Sequence, residues 1–97
     1  MKGVTSEALK GKILEILENG SLIYSNHSKK RMRERNYETS DILYILKNGN
    51  VLNFSQKGKE KYLCEVHGDD LEGYRGAIRI MVIKETKLIV VTVLAGV

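Results

Sequence analysis

Three side chains of this 97-residue chain stand at the spacing of one helical row: His27, Arg31 and Arg35, at i, i+4 and i+8. On a helix such residues are neighbours, drifting by about 40° per step. The set joins one group that titrates near neutrality to two that keep their charge at any working pH. Such a set suits cleavage of a ribonucleotide phosphodiester. A base takes the 2′-hydroxyl proton, cations stabilise the negatively charged phosphorane, and an acid protonates the departing 5′-oxygen. Imidazole, with a reference pKa near ~6.5, serves as base or acid, and guanidinium offers a bidentate fork to phosphate. Nothing in the set asks for a metal. The same three residues also fit a solvated basic helix face, so their spacing alone leaves both readings open.

The charge around the row is local. Lys29, Lys30, Arg31, Arg33 and Arg35 face one anion, Glu34, while the whole chain holds 16 Lys and Arg against 12 Asp and Glu, for a net +4. Outside those seven residues the sequence is neutral. A cationic cluster in a neutral chain reads as a docking surface for a polyanion. RNA is the expected partner, with Lys29, Lys30 and Arg33 as its phosphate contacts. Tyr62 offers a phenolic donor or acid, or else packs as tyrosines on strands do. Arg79 and Thr92 are the polar side chains within two apolar strands, and a turn of two or four residues about Glu85-Thr86 sets them opposite each other. Two such groups mark either a water-facing edge of the sheet or the floor of a phosphate site. His67 reads as a strand-end residue and Asp69-Asp70 as turn chemistry. One cysteine, Cys64, and two histidines give no zinc-type spacing, and no glycine-rich phosphate loop is present. No metal and no cofactor are therefore expected.

The elements that must hold these groups follow from periodicity. Leu9, Ile13, Ile16 and Leu17 recur at helical steps between Ser6, taken as the N-cap, and the stop Asn19-Gly20. Leu22 to Tyr24 is a short apolar stretch. Ser25 or Asn26 then caps a second helix through about Asn36, whose only large apolar residue is Met32. A helix normally needs an apolar stripe, so something besides burial sets this sequence. Thr39 or Ser40 caps a third helix bearing Ile42, Ile45 and Leu46 and ending at Lys47-Asn48-Gly49. From Val51 the period becomes two, with strands at 51–54, 62–66, 77–83 and 88–94 forming two hairpins. The last strand is apolar apart from Thr92, as a covered central strand should be. The architecture is α+β: N-terminal helices, then a four-stranded antiparallel sheet.

Tyr24-Ser25-Asn26-His27, Arg31-Met32 and Arg35, followed by the helix ending Lys47-Asn48-Gly49, resembles the H-x3-R-M-x2-R pattern of the prokaryotic domain-of-unknown-function family 4258. Tyr62, the strand 78–83 and the closing Val90-Val91-Thr92-Val93 are similar to its second half. The resemblance spans about residues 22–94. That family looks related to the BrnT-like and RelE-like ribonuclease toxins, which cleave RNA without a metal on a helix-plus-antiparallel-sheet fold and are neutralised by an antitoxin protein. It implies His27 as acid/base, Arg31 and Arg35 as phosphate and transition-state ligands, and Thr92 as the polar residue of the closing strand. Ser28-Lys29-Lys30 replaces the usual small or acidic residues, which adds charge for RNA. Asn36 stands in place of a glycine, and asparagine tolerates the left-handed conformation.

The sequence thus points to one domain over 1–97, with 1–20 a helical extension and 22–94 a toxin-like core. No segment is apolar enough to cross a bilayer and cysteine usage fits a reducing compartment, so a cytoplasmic protein is expected. The expected activity is that of a metal-independent endoribonuclease, an mRNA-interferase-like toxin. Its partners would be RNA and a cognate antitoxin, and a homo-oligomer stays open. The alternative is a non-catalytic nucleic-acid-binding module using the basic helix 27–35. A third reading docks that helix on an acidic protein surface.

Overall fold

The computed structural model describes residues 4–95, in three helices and five strands. The first helix, α1 (Ser6–Asn19), buries Leu9, Ile13 and Ile16. Its cap is Thr5, one residue earlier than Ser6: the Thr5 hydroxyl accepts the Ala8 N–H at 3.0 Å. Next come β1 (Ser21–Tyr24), α2 (Asn26–Arg35) and α3 (Thr39–Asn48). In α3 the N-cap is Glu38, not Thr39 or Ser40, and its N–H donates to Asp41 Oδ2 at 3.0 Å. At α1 and α2 a short hydroxyl side chain, Thr5 or Ser25, accepts a first-turn N–H, as the unsatisfied donors of a helix start require.

The strands β2 (Asn50–Gly58), β3 (Lys61–Asp69), β4 (Arg75–Ile83) and β5 (Lys87–Ala95) form an antiparallel meander. The sheet has five strands rather than four, in the order β1-β5-β4-β3-β2. The addition is β1, the apolar stretch 22–24, which pairs parallel with β5 from Ser21 opposite Lys87 to Tyr24 opposite Val90. Four residues carry too little alternation to declare a strand, and their partner lies far along the chain. With β1 outside it, β5 is an interior strand, as its apolar run requires.

Arg79 and Thr92 do pair. The turn that brings them together differs from the expected one. Ile83 faces Lys87 across the three residues Lys84-Glu85-Thr86, and Val91 is an extra residue at a bulge between the pairs Ile80–Val90 and Arg79–Thr92. The odd turn and the bulge cancel, because one extra residue on one strand restores the facing.

Alternation assigns the faces. Cys64, Ile80 and Val90 form one cross-strand row, and Val66, Ile78 and Val93 another; all are buried beneath α1 and α3. Gly49 and Gly68 let the end of α3 lie directly on β3, where a Cβ on Gly49 would overlap the His67 carbonyl. Both glycines answer to that close approach. Leu63, Glu65, His67, Arg79, Met81 and Thr92 lie on the opposite face.

Candidate nucleic-acid interface

The position of α2 is set by a single serine. The Ser25 N–H bonds the Val90 carbonyl at 3.1 Å, continuing β1. Its hydroxyl then donates to the Val91 carbonyl at 3.1 Å and accepts the Ser28 N–H at 3.0 Å. The same side chain ends the strand and starts the helix. Ser28 and Met32, at i and i+4, are the buried residues of α2, with the Ser28 hydroxyl satisfied by the Ser25 carbonyl at 2.8 Å. The helix stops at Asn36, whose φ of 57° and ψ of 36° are left-handed, as read from its asparagine.

A two-residue seat frees the rest of the helix. His27, Lys29, Lys30, Arg33 and Arg35 are exposed, while Arg31 is half-buried and bonds Glu34 Oε1 at 3.2 Å. This answers the puzzle of a helix with one apolar side chain: Ser28 and Met32 dock it on β5 and its cations meet water. His27 lies in the first turn, which holds no acidic residue, so the positive end of the helix dipole faces solvent there without a counter-charge. Among the described residues no side-chain hydrogen bond or ion pair joins His27, Arg31 or Arg35 to Arg79 or Thr92. Thr92 is buried and follows Val91, the residue that anchors Ser25. Tyr62 sits between Gln56 and Val82 on the helix-facing side, packed against the core, so it does not share a surface with Arg79.

The face away from α1 and α3 carries a group that sequence reasoning missed. Asn53, Glu65, Arg79 and Thr92 form one unbroken row over four strands. Glu65 bridges its neighbours: Oε2 accepts from Arg79 Nη2 at 2.8 Å, and Oε1 lies 2.8 Å from His67 Nε2. A carboxylate only accepts, so Nε2 carries the hydrogen of this bond. The His67 bond, then the Arg79 bond, holds the Glu65 carboxyl down to about 2, against the opposing effect of its burial. Beside the row lies a shallow depression of about 270 Å³ lined by Asn53, Ser55, Leu63, Glu65 and Arg79. The available signal was Glu65 and His67 at i, i+2 on a strand, which share a face; what hid them was the register between β3 and β4, which local pattern does not give. Asp70 instead belongs to the turn, accepting the Glu72 and Tyr74 N–H groups and the Tyr37 hydroxyl. Among the described residues no group of three or more His, Cys, Asp or Glu is placed to hold a metal ion. Among the described residues no helix is long and apolar enough to cross a membrane.

The result is a small helix-plus-sheet domain that presents a basic helix beside an interior strand. The chain belongs to the family described as Domain of unknown function (DUF4258), whose model matches residues 24–95, from the end of β1 through β5. No curated protein and no solved structure matches the chain.

Proposed function

We propose that the protein is a metal-independent endoribonuclease of the RelE and BrnT toxin type that grips RNA through α2. The observation that carries this reading is the two-residue seat of α2, which leaves His27 and four cations in solvent. A surface of that composition attracts phosphates and releases their counterions. In the reaction His27 takes the 2′-hydroxyl proton, the 2′-oxygen attacks phosphorus, and the bond to the 5′-oxygen breaks as that oxygen takes a proton from solvent water, to which His27 returns its own. Arg31 and Arg35 hold the phosphate and meet the charge added in the transition state, Arg31 by exchanging Glu34 for phosphate. A neutralising protein partner would cover the same helix.

The test is cleavage of a single-stranded RNA by the purified protein in EDTA. Products ending in 2′,3′-cyclic phosphate are expected. Loss of cleavage in chelator, restored by a divalent ion, contradicts the mechanism. RNA binding without any cleavage leaves the non-catalytic module in its place.

A further inference from the structure

The fold builds a second basic surface out of residues that the sequence keeps apart. At one end of the sheet Lys61, Ile83, Lys87 and Ser21 lie side by side on β3, β4, β5 and β1. The end of β2 and the turn after it, with Lys57 and Lys59, and the β4–β5 turn, with Lys84, meet there. The Lys84 N–H bonds the Glu60 carbonyl at 2.7 Å and so fastens one turn to the other. Gln56 braces the first turn from within, donating to the Gly58 and Lys59 carbonyls at 2.9 and 3.2 Å. Between the turns is a cleft of about 420 Å³ lined by Lys57, Lys59, Lys61 and Lys84, with Glu60 the one carboxylate among its lining residues.

Two details make this more than scattered surface charge. Lys84 adopts φ 55°, a left-handed conformation that glycine or asparagine would take at lower cost. The strained position therefore holds an ammonium where a cheaper residue would hold none. The acid of the second turn, Glu85, is paired with Lys12 at 3.4 Å.

β1 links the cleft's end of the sheet to α2. From Ser21, beside Lys87, β1 runs four residues to Tyr24, about 13 Å at ~3.3 Å per residue. Ser25 then turns into α2, ten residues long, about 15 Å at ~1.5 Å per residue. On the way stands Ile23, 43% exposed on the outer edge strand, where an apolar contact with a base is available. Resting on the RNA reading of α2, we infer that the lysine cleft is a second phosphate site for the same single strand, which runs from the cleft along β1 onto α2. Three strand spacings of ~4.8 Å separate Lys61 from Ser21, so the path from the cleft to the far end of α2 is at most about 42 Å and takes up to roughly twelve stacked nucleotides at ~3.4 Å each. A strand that reaches both sites gains by effective concentration what a short one lacks.

The experiment uses 2′-O-methyl oligouridylates of four and twelve nucleotides, which bind but offer no 2′-hydroxyl to attack. The full chain should bind the 12-mer at least about tenfold tighter than the 4-mer, beyond the gain from extra binding registers. The triple variant Lys59→Gln, Lys61→Gln, Lys84→Asn should keep its 4-mer affinity and lose this step. Asparagine at 84 retains the left-handed turn, and an unchanged thermal midpoint checks the fold. The salt slope on the 12-mer should become shallower by roughly 2, at ~0.7 per lost contact on a single strand. A full length step and salt slope in the folded triple variant overturn the second site and leave α2 untouched. The complementary variant Lys29→Gln, Lys30→Gln, Arg33→Gln separates the two ideas: if it binds the 4-mer as tightly as wild type, the α2 reading fails, whatever the lysine variant does.

Discussion

His27 and His67 divide the requirements of an acid/base group between them. His27 stands among permanent cations in solvent, whereas His67 is held by Glu65 on a face with no comparable charge excess. Phosphate chemistry needs the cations near the transferred proton, which favours His27. His27→Ala should leave RNA affinity nearly intact and lower single-turnover cleavage by about 10² to 10⁴-fold. Arg31→Ala and Arg35→Ala should weaken affinity and rate together. A His27→Ala protein that cuts at the wild-type rate, with His67→Ala inactive, would move the proton transfer to the sheet face. Glu65 makes its own prediction about stability. Its carboxyl is held at about 2 in the folded protein, below the ordinary 4.5, so its contribution is fully present above pH 4.5 and fades as pH falls toward 2. Glu65→Gln should therefore destabilise at pH 7 by on the order of 2 kcal/mol and lose most of that effect near pH 2.5, as read by urea unfolding at the two pH values. Equal effects at both would show that packing rather than charge is responsible. Of the residues concerned, His27, Arg31 and Arg35 were legible because helical spacing is local. The pairing of Arg79 with Thr92 was legible only because a three-residue turn and a bulge at Val91 offset each other.

The elements were readable to the extent that their signals lie within a few residues. Apolar periodicity marked α1 and α3, while α2 was read from its capping serine or asparagine and from Asn36, its left-handed stop. The seat of α2 was not readable, since it depends on Ser28 meeting β5 and on Val91 accepting from Ser25 across the fold. Nor was β1, whose parallel pairing joins residues more than sixty positions apart. Glycines show how element contacts can be tested. At Gly49, the cap of α3, a Cβ would overlap the backbone carbonyls of His67 and Ile45, and neither atom can give way without moving β3 or α3. At Gly11, inside α1, a Cβ would meet nothing within 4 Å. Gly49→Ala should cost at least about 2 kcal/mol, while Gly11→Ala should stabilise by about 0.5 to 1 kcal/mol through helix propensity and the unfolded chain. Thermal midpoints moving in opposite directions would support the close approach of α3 to β3. A neutral Gly49→Ala would argue against it.

At the scale of the whole molecule, the sequence and the family model both draw a line after α1, and the core does not respect it. The matched region begins at residue 24, and the first twenty residues read as an extension. Yet Leu9, Ile13 and Ile16 of α1 are buried in the single cluster that also holds Ile45, Val66, Ile80 and Leu88. The Lys10 ammonium reaches the Gly49 carbonyl at the end of α3, and its burial lowers its pKa. Removing α1 would expose the helix-facing side of the sheet and the inner face of α3 together. Three fully buried aliphatic side chains contribute roughly 1.5 to 3 kcal/mol each, about 5 to 9 kcal/mol in all. A domain of this size is stable by only about 5 to 15 kcal/mol, so the loss is comparable to the whole. A chain of residues 21–97 should therefore fail to fold on its own, showing no cooperative thermal transition by circular dichroism and broad amide resonances. The full chain with Lys2, Lys12 and Glu15 replaced by alanine, which trims charge from the N-terminal segment and spares the buried stripe, should fold normally and still bind RNA through α2. A cooperative, well-dispersed 21–97 fragment would instead make α1 a separable appendage, free to serve a partner rather than the core.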